Sequence, residues 1–444
     1  MKPRDLTRGP IVGQVVRFAA PLLVTSVVQQ LYSTVDLLFA GNVLGTNAIA
    51  AVGIGSLLLT CLVGLAIGIS AGAQIVIAGL YGAKDRAAVR DAVRTLALFG
   101  MAAGVLLAVL GVAFAPTFVQ LMDTPAPVVA DARSYAAVCA WAAIPLVLYN
   151  CAAATARALG DSASPLIAQA VGGAGNILAN AVCLCVLGLG VEGCAYATVL
   201  SNALAAAICI ALLRRMALGS GARPASSFDP ALLERMLALG VPIAVQTLAI
   251  TLSNVVVQHQ IDLLGAQAVA AFTAYFKIEL PIYYAILAVG QAAMTFVAQN
   301  HGAGLHARCA DGARACQALG VVLALAISAV MLAVGYWAFW LFDRDPAVIE
   351  MGMAIIWTTF PFYFLYAVLE VQGGVMRGFG HSAGPALVIL LSLCVLRIVL
   401  VMALTAGGVT LFNVAVTYPI TWGVAAAGML CCRCALRRAR SRTW

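Results

Sequence analysis

Apolar stretches of about twenty residues, the length that crosses a bilayer, recur along this sequence from end to end. They are continuous rather than alternating, which selects helices over a barrel. Only 9% of the residues are charged and 63% are hydrophobic, so polar groups are too few to cover the surface of a soluble domain. The fold class that follows is an all-α polytopic membrane protein. Twelve spans are predicted, at 13–41, 47–79, 92–116, 133–157, 164–187, 191–213, 234–262, 268–299, 312–342, 350–377, 385–406 and 410–432. The net charge is +8. Its basic residues sit in short clusters between apolar runs, as topology signals do, and not on one nucleic-acid-binding face.

One set of loops receives Lys2, Arg4 and Arg8, then Lys84, Arg86 and Arg90, then Arg157, Arg214, Arg215, Arg223 and Arg235. The same set receives Arg308, Arg314, Arg377 and the arginines of the tail. The opposite loops hold Arg133 and Arg344 among Asp123, Asp131, Asp343, Asp345 and Glu350. The positive-inside rule therefore predicts cytoplasmic termini and a cytoplasmic middle loop. The basic opening MKPRDLTRGP precedes an apolar run longer than a secretory leader, so the first span is read as uncleaved. Thirteen cysteines are scattered, mostly within apolar runs, and read as small hydrophobes. Cys431, Cys432 and Cys434 in CCRCALRRARSR offer a metal site or lipidation as alternatives, but read as part of a cytoplasmic tail with no function for the thiols and no metal.

The chain repeats itself. RALGDSASP from residue 157 and RGFGHSAGP from residue 377 match at an offset of 220. The same offset pairs LGTNAIAA at 44 with LGAQAVAA at 264, and GAKDRAAVRDAVR at 82 with GAGLHARCADGAR at 302. The Gly-, Ser- and Pro-containing stretch RRMALGSGARPASSFDP lies between the copies and reads as a flexible linker. The expected organisation is a six-helix lobe over 1–213, a cytoplasmic linker over 214–233, and a second six-helix lobe with a basic tail over 234–444. Six spans per copy keep both copies in one membrane orientation, the parallel pseudo-two-fold repeat of many transporters. In the matched loops Gly160 and Gly380 are predicted to end helices in the left-handed conformation, with Ser164 capping a helix begun by Pro165. Arg157 and Arg377 read first as cytoplasmic anchors.

No Gly-rich loop leads into Lys and Ser/Thr, no His-Glu-x-x-His occurs, and the four histidines are dispersed. The expectation is a protein that is not an enzyme and carries no cofactor, which leaves secondary transport. A charge at a helix centre costs about 2.5–3.5 kcal/mol, so those that are kept are functional candidates. Asp36, in QLYSTVDLLFAGNVLG, lies five residues before Gly41, about 8 Å along a helix and far for a short side chain to reach headgroups. Held out of water, it can take up a proton or ligate Na⁺ through oxygen. Pro21 in the same helix removes one ladder hydrogen bond and permits a bend. Asn176 and Asn180 share a helix face, either to serve that carboxylate or an ion, or to pack between helices.

The second half offers Lys277 and Glu279 in the eighth span, Glu370 in the tenth and Arg397 in the eleventh. With Tyr32 they are the candidates for a substrate cavity, and Glu279 leads them. Glu370 and Arg397 can also be read as an ion pair between their helices. Tyr275, Phe276, Tyr283 and Tyr284 could contact planar cations.

TVDLLFAGNVLGTNAIAAVGI, GQAAMTFVAQNHGAG and MRGFGHSAGP resemble the first helix and turn, the eighth-helix end and the tenth-to-eleventh loop of the multidrug and toxic compound extrusion (MATE) transporters. The likeness runs over nearly the whole chain, and Glu279, Glu370 and Arg397 look more like a bacterial DinF-related group. It implies an acidic coupling position at Asp36, a helix bend at Pro21 and the family's asparagine at Asn176. Asn180 stands where many members carry an acid. The function implied is export of organic cations and amphiphilic compounds from a bacterium across its inner membrane, in exchange for H⁺ or Na⁺, by a monomer with no nucleic-acid partner. One carboxylate among amides suits H⁺ better than a metal ion. The alternative is a lipid-linked precursor flippase of the same superfamily, toward which Lys277 and Arg397 point. A purely structural or channel protein would leave the repeat and the buried acids unexplained.

Overall fold

A computed structural model describes residues 4–122, 124–216 and 228–441, without the side chains of residues 32, 33, 37, 46 and 437–441. Linker residues 217–227 lie outside the described residues. All regular structure among the described residues is helical. Eleven helices there are long and apolar enough to cross a membrane, and a bent pair makes a twelfth crossing. The first six are α1 (Ile11–Leu44), α2 (Asn47–Gly82), α3 (Arg86–Leu121), α4 (Val129–Ala140 with Ala143–Ala158), α5 (Ala163–Val186) and α6 (Val191–Arg215). The second six are α7 (Pro230–Asp262), α8 (Ala266–Gly302), α9 (His306–Phe342), α10 (Pro346–Gly378), α11 (Ala383–Thr405) and α12 (Leu411–Leu436). Each predicted span falls on one of them. α3 starts earlier than hydropathy suggests, because Asp85 accepts from Ala88 N at 3.0 Å and lets a polar first turn be helical.

Two spans read as continuous are interrupted. The halves of α4 meet at 42° around Trp141 and Ala142. Pro145 has no N–H for the carbonyl of Trp141, which Ile144 N takes instead at 3.4 Å, a tighter three-residue closure. α10 contains a 3₁₀ turn over Phe360–Phe362, with Pro361 at its centre. Three further helices carry π turns, at Ala40–Leu44 in α1, Ala181–Val186 in α5 and Leu390–Leu396 in α11.

The repeated loops behave as expected at their glycines, with φ +83° at Gly160 and +85° at Gly380. The cap of α5 is not Ser164 but Asp161. Its Oδ1 accepts from the N–H groups of Ala163 and Ser164 at 2.9 and 3.1 Å, and its Oδ2 accepts from the Ser164 hydroxyl at 2.5 Å. A carboxylate at a helix N-terminus satisfies several orphan donors at once, which a serine inside the first turn cannot. Arg157 and Arg377 are likewise not simple anchors. Arg157 Nε donates to Gln74 Oε1 at 3.0 Å, and Arg377 is buried.

The packing falls into two compact units, Met1–Asp5 with Ala20–Ala244 and Leu6–Ala19 with Val245–Trp444. α1 changes unit just before Pro21, and α7 changes unit just after Pro242. In the second unit the segment before α1 is tied down by side chains of α8 and α9. Leu6 N donates to Gln299 Oε1 at 3.1 Å, and Arg308 Nη2 donates to Gly9 O at 2.9 Å. Also in this unit, α8 and α10 meet backbone to backbone. A Cβ on Gly374 would lie 2.3 Å from Gly290 O, and one on Gly290 would lie 2.9 Å from the Glu370 Cγ. Small residues at such a crossing are how membrane helices approach closely, and here they press Glu370 against α8.

Candidate functional site

In the first unit, α1 and α5 bring Asp36 and Asn180 together. Both are buried, Asp36 at 8% exposure. Asn180 Nδ2 donates to Asp36 Oδ1 at 2.6 Å. The same nitrogen lies 3.1 Å from Asn176 O and 3.2 Å from Asn176 Oδ1. The four-residue spacing of the amides thus stacks them on the helix face that meets α1. Tyr135 and Cys139 of α4 and Cys194 of α6 are near enough to feel the Asp36 charge. Among the described residues no cation forms an ion pair with it. Asn180 Oδ1 is buried without a hydrogen-bond partner. The group is therefore one carboxylate with amide oxygens beside it, able to hold a proton or a hard cation through oxygen. Both helices of the arrangement end in π turns, a local irregularity that tends to accompany functional positions.

The second unit contains a cavity of about 450 Å³, within the roughly 300–1,000 Å³ range of small-molecule sites. Glu279, Glu370 and Arg397 line it, so three of the sequence candidates share one space. Lys277 does not. It is exposed, and a position two residues from Glu279 lies on another helix face. The side chain of Tyr32 lies outside the described residues. Phe276 and Tyr283 line the cavity, while Tyr275 is fully buried in the core of the unit.

The charges pair differently from the expected link between Glu370 and Arg397. Glu370 Oε1 lies 3.4 Å from Nη1 of Arg377, two helical turns further along α10. Arg377 Nη2 also reaches Gln246 Oε1 at 3.5 Å. Arg397 instead sits over the Tyr418 ring, 4.7 Å from its centroid, with Nη2 3.4 Å from Thr421 Oγ1. The short reach of Glu370 and the shared face of α10 favour the partner on its own helix. Glu279, half-buried, accepts from the Tyr363 hydroxyl.

Sequence reasoning missed Tyr363, Tyr366, Tyr418 and Trp422, all of which line the cavity. Tyr363 packs on Trp422 at 4.7 Å, and Tyr366 stacks on Tyr283 at 5.7 Å. A signal was present. Tyr363, Tyr366, Glu370 and Arg377 follow steps of three, four and seven, and Tyr418 and Trp422 are four apart, the spacings of one helix face.

These features can be set beside known proteins. The chain is 27% identical over 379 residues to the probable multidrug resistance protein YoeA of Bacillus subtilis, covering 84% of this chain and 82% of that protein. It is 21% identical to the multidrug export protein MepA of Staphylococcus aureus, over 97% of this chain and 93% of that one. Among solved structures, a MATE protein in the straight conformation superposes with a TM-score of 0.91 at 21% identity, covering 99% of both chains. A MOP superfamily transporter from Pyrococcus furiosus gives 0.89 at 21% identity over 98% of both. At such identities the structures speak for the fold. The sequence model described as MatE matches twice, at residues 21–182 and 242–403, once in each copy of the repeat. With most of its length inside those two matches, this chain belongs to the MatE family.

Proposed function

We propose that the protein is a secondary active multidrug exporter of a bacterial inner membrane, moving organic cations and amphiphilic compounds outward in exchange for H⁺, with Na⁺ as the other candidate ion, by alternating access. It acts as a monomer with both termini in the cytoplasm. The observation that carries the reading is Asp36, a buried carboxylate held by the amide of Asn180 at 2.6 Å, with no cationic partner among the described residues. A structural acid in a membrane helix is normally neutralised by a basic neighbour. An acid supported only by amides can alternate between an ion-bound and a free state. In the free state its charge is met by the Asn180 N–H. In the bound state the proton or cation removes that charge and the demand for the donor. Alternation of that kind biases α1, whose Pro21 already lacks one ladder bond. Relatives named as multidrug resistance or export proteins support the same class of activity. The flippase alternative asks for a cationic site, and the second unit's cavity instead has Glu279 and Glu370 in its wall beside Arg397.

The test is cationic dye movement in inside-out vesicles, with proton and sodium gradients imposed separately and Asp36→Asn alongside. Dye uptake driven by the proton gradient and lost in the variant is expected. Undiminished gradient-driven uptake by Asp36→Asn would remove Asp36 from the mechanism. No dye movement under either gradient, with tight binding of a lipid-linked precursor, would replace the exporter by the flippase.

A further inference from the structure

In a membrane helix a serine or threonine hydroxyl ordinarily donates to a carbonyl of its own preceding turn. Thr251 does so to Thr247 O at 3.1 Å, and Thr405 to Val401 O at 2.7 Å. Two buried serines of the second unit do otherwise. Ser253 of α7 donates to Leu393 O of α11 at 3.1 Å, and Ser328 of α9 donates to Phe360 O of α10 at 2.8 Å. Neither carbonyl belongs to a regular stretch of helix. Leu393 lies in the π turn Leu390–Leu396, and Phe360 opens the 3₁₀ turn Phe360–Phe362. Two hydroxyls on different helices thus reach across to the carbonyls of two irregular turns.

The irregularity explains why a donor is needed there. In an α-helix the N–H of Arg397 would serve the carbonyl four residues back, that of Leu393. Here it goes to Cys394 O instead. Where a ladder slips between registers, a carbonyl is left to find a donor outside it, and in a dry interior an unmet backbone oxygen is costly. Ser253, 1% exposed, supplies that donor. The turn it serves ends directly before Arg397, and Leu393 and Arg397 both line the cavity. Were the ladder to close in the α register, Leu393 O would be met by its own helix and Arg397 would leave the cavity wall. We infer that Ser253 is a positioning residue: by holding Leu393 O it selects the register of α11 that aims Arg397 at the cavity. Ser328 holds α10 in the same manner, just ahead of Tyr363, Tyr366 and Glu370. Neither serine lines the cavity, so each acts through the helix it holds. The inference rests on the exporter reading only for the choice of a cationic probe.

The experiment is hydrogen exchange read by mass spectrometry on the full chain in detergent, without ligand or gradient. Ser253→Ala should speed exchange about fivefold over residues 390–400, the population ratio that one neutral hydrogen bond sets, and leave the rest of the unit unchanged. Ser253→Thr keeps the hydroxyl and should restore the slow rate. Ser328→Ala should speed residues 357–366 and leave 390–400 alone. Equal acceleration throughout the unit in Ser253→Ala, or none over 390–400, overturns the inference. Ser253→Cys keeps the shape and weakens the donor, and carries the same comparison if the alanine variant does not fold. The link to Arg397 is read as the affinity for ethidium, a cationic dye. Arg397→Gln removes a positive charge from the wall and should tighten binding by about tenfold. Ser253→Ala should tighten it in the same sense and add nothing in the Arg397→Gln background. An effect of undiminished size in that background, or an affinity equal to that of the unaltered protein, overturns the inference. Ethidium that does not bind at all, with the exchange pattern as expected, removes the exporter reading alone. Unchanged exchange over 390–400 with gradient-driven dye export intact removes this inference alone.

Discussion

Replacing Asn180 by Asp sets a carboxylate oxygen where an amide nitrogen now lies 2.6 Å from Asp36 Oδ1. Two full negative charges at that separation repel by about 6 kcal/mol at an effective dielectric of 20. The lost amide donor adds about 1.5–3 kcal/mol, the worth of a hydrogen bond to a charged group. Together these exceed what a membrane helix pair can absorb, so the variant must hold a shared proton or a cation between the two acids. With Asn176 Oδ1 next to them, the two carboxylates offer a hard cation three oxygen ligands from two helices. The expected outcome is a change of driving ion. In proteoliposomes loaded with a cationic dye, the unaltered protein should respond to a proton gradient and Asn180→Asp to a sodium gradient. Sodium should also raise the melting temperature of the detergent-solubilised variant. At a hundred times its dissociation constant the ion adds about 2.7 kcal/mol to stability. An unchanged ion response, together with a melting temperature indifferent to sodium, would refute the placement of the coupling group against residue 180.

Two predictions concern the second unit. Arg377→Gln leaves Glu370 buried without its partner and should cost about 3–5 kcal/mol; the double variant with Glu370→Gln should recover much of that in a thermal melt, and a double variant no more stable than the single would show the pair to be uncoupled. Gly374→Ala places a methyl group 2.3 Å from the Gly290 carbonyl oxygen and should destabilise by about 1–3 kcal/mol, with a melting temperature equal to that of the unaltered protein as the contrary result.

The fold was largely legible because each level of the sequence agreed with the next. Apolar runs set the spans, and the fixed offset of Arg, Gly, Ser and Pro matches set the repeat. The breaks in α4 and α10 were not read, because hydropathy averages over a single proline whose effect is on one carbonyl. At the sites, helix periodicity was informative within a helix and silent between helices. It stacked Asn176 and Asn180 on one face, and it could have placed Tyr363, Tyr366, Glu370 and Arg377 on another. It could not say which helix faces which. Glu370 was therefore linked to Arg397 on charge alone, while the structure gives it Arg377. Lys277 counts as a charge within the eighth span, but it is exposed and its two-residue step from Glu279 sets it on another face of that helix. The Ser164–Pro165 pair points to a serine cap, whereas Asp161, two and three residues before the N–H groups it serves, reaches both of them.

The π turns have a mechanical meaning. Each one stores a single residue that an α-helix of the same ends would not contain. At 3.6 residues per turn, expelling or admitting one residue rotates everything on one flank by about 100° and shifts it by about 1.5 Å along the axis. The π turn of α11 ends directly before Arg397, and that of α5 begins directly after Asn180. The π turn of α1 begins four residues beyond Asp36. The positions that carry the unusual polarity of this protein are thus mounted like pointers on a dial, one click from a different heading, while the helix around them stays a helix.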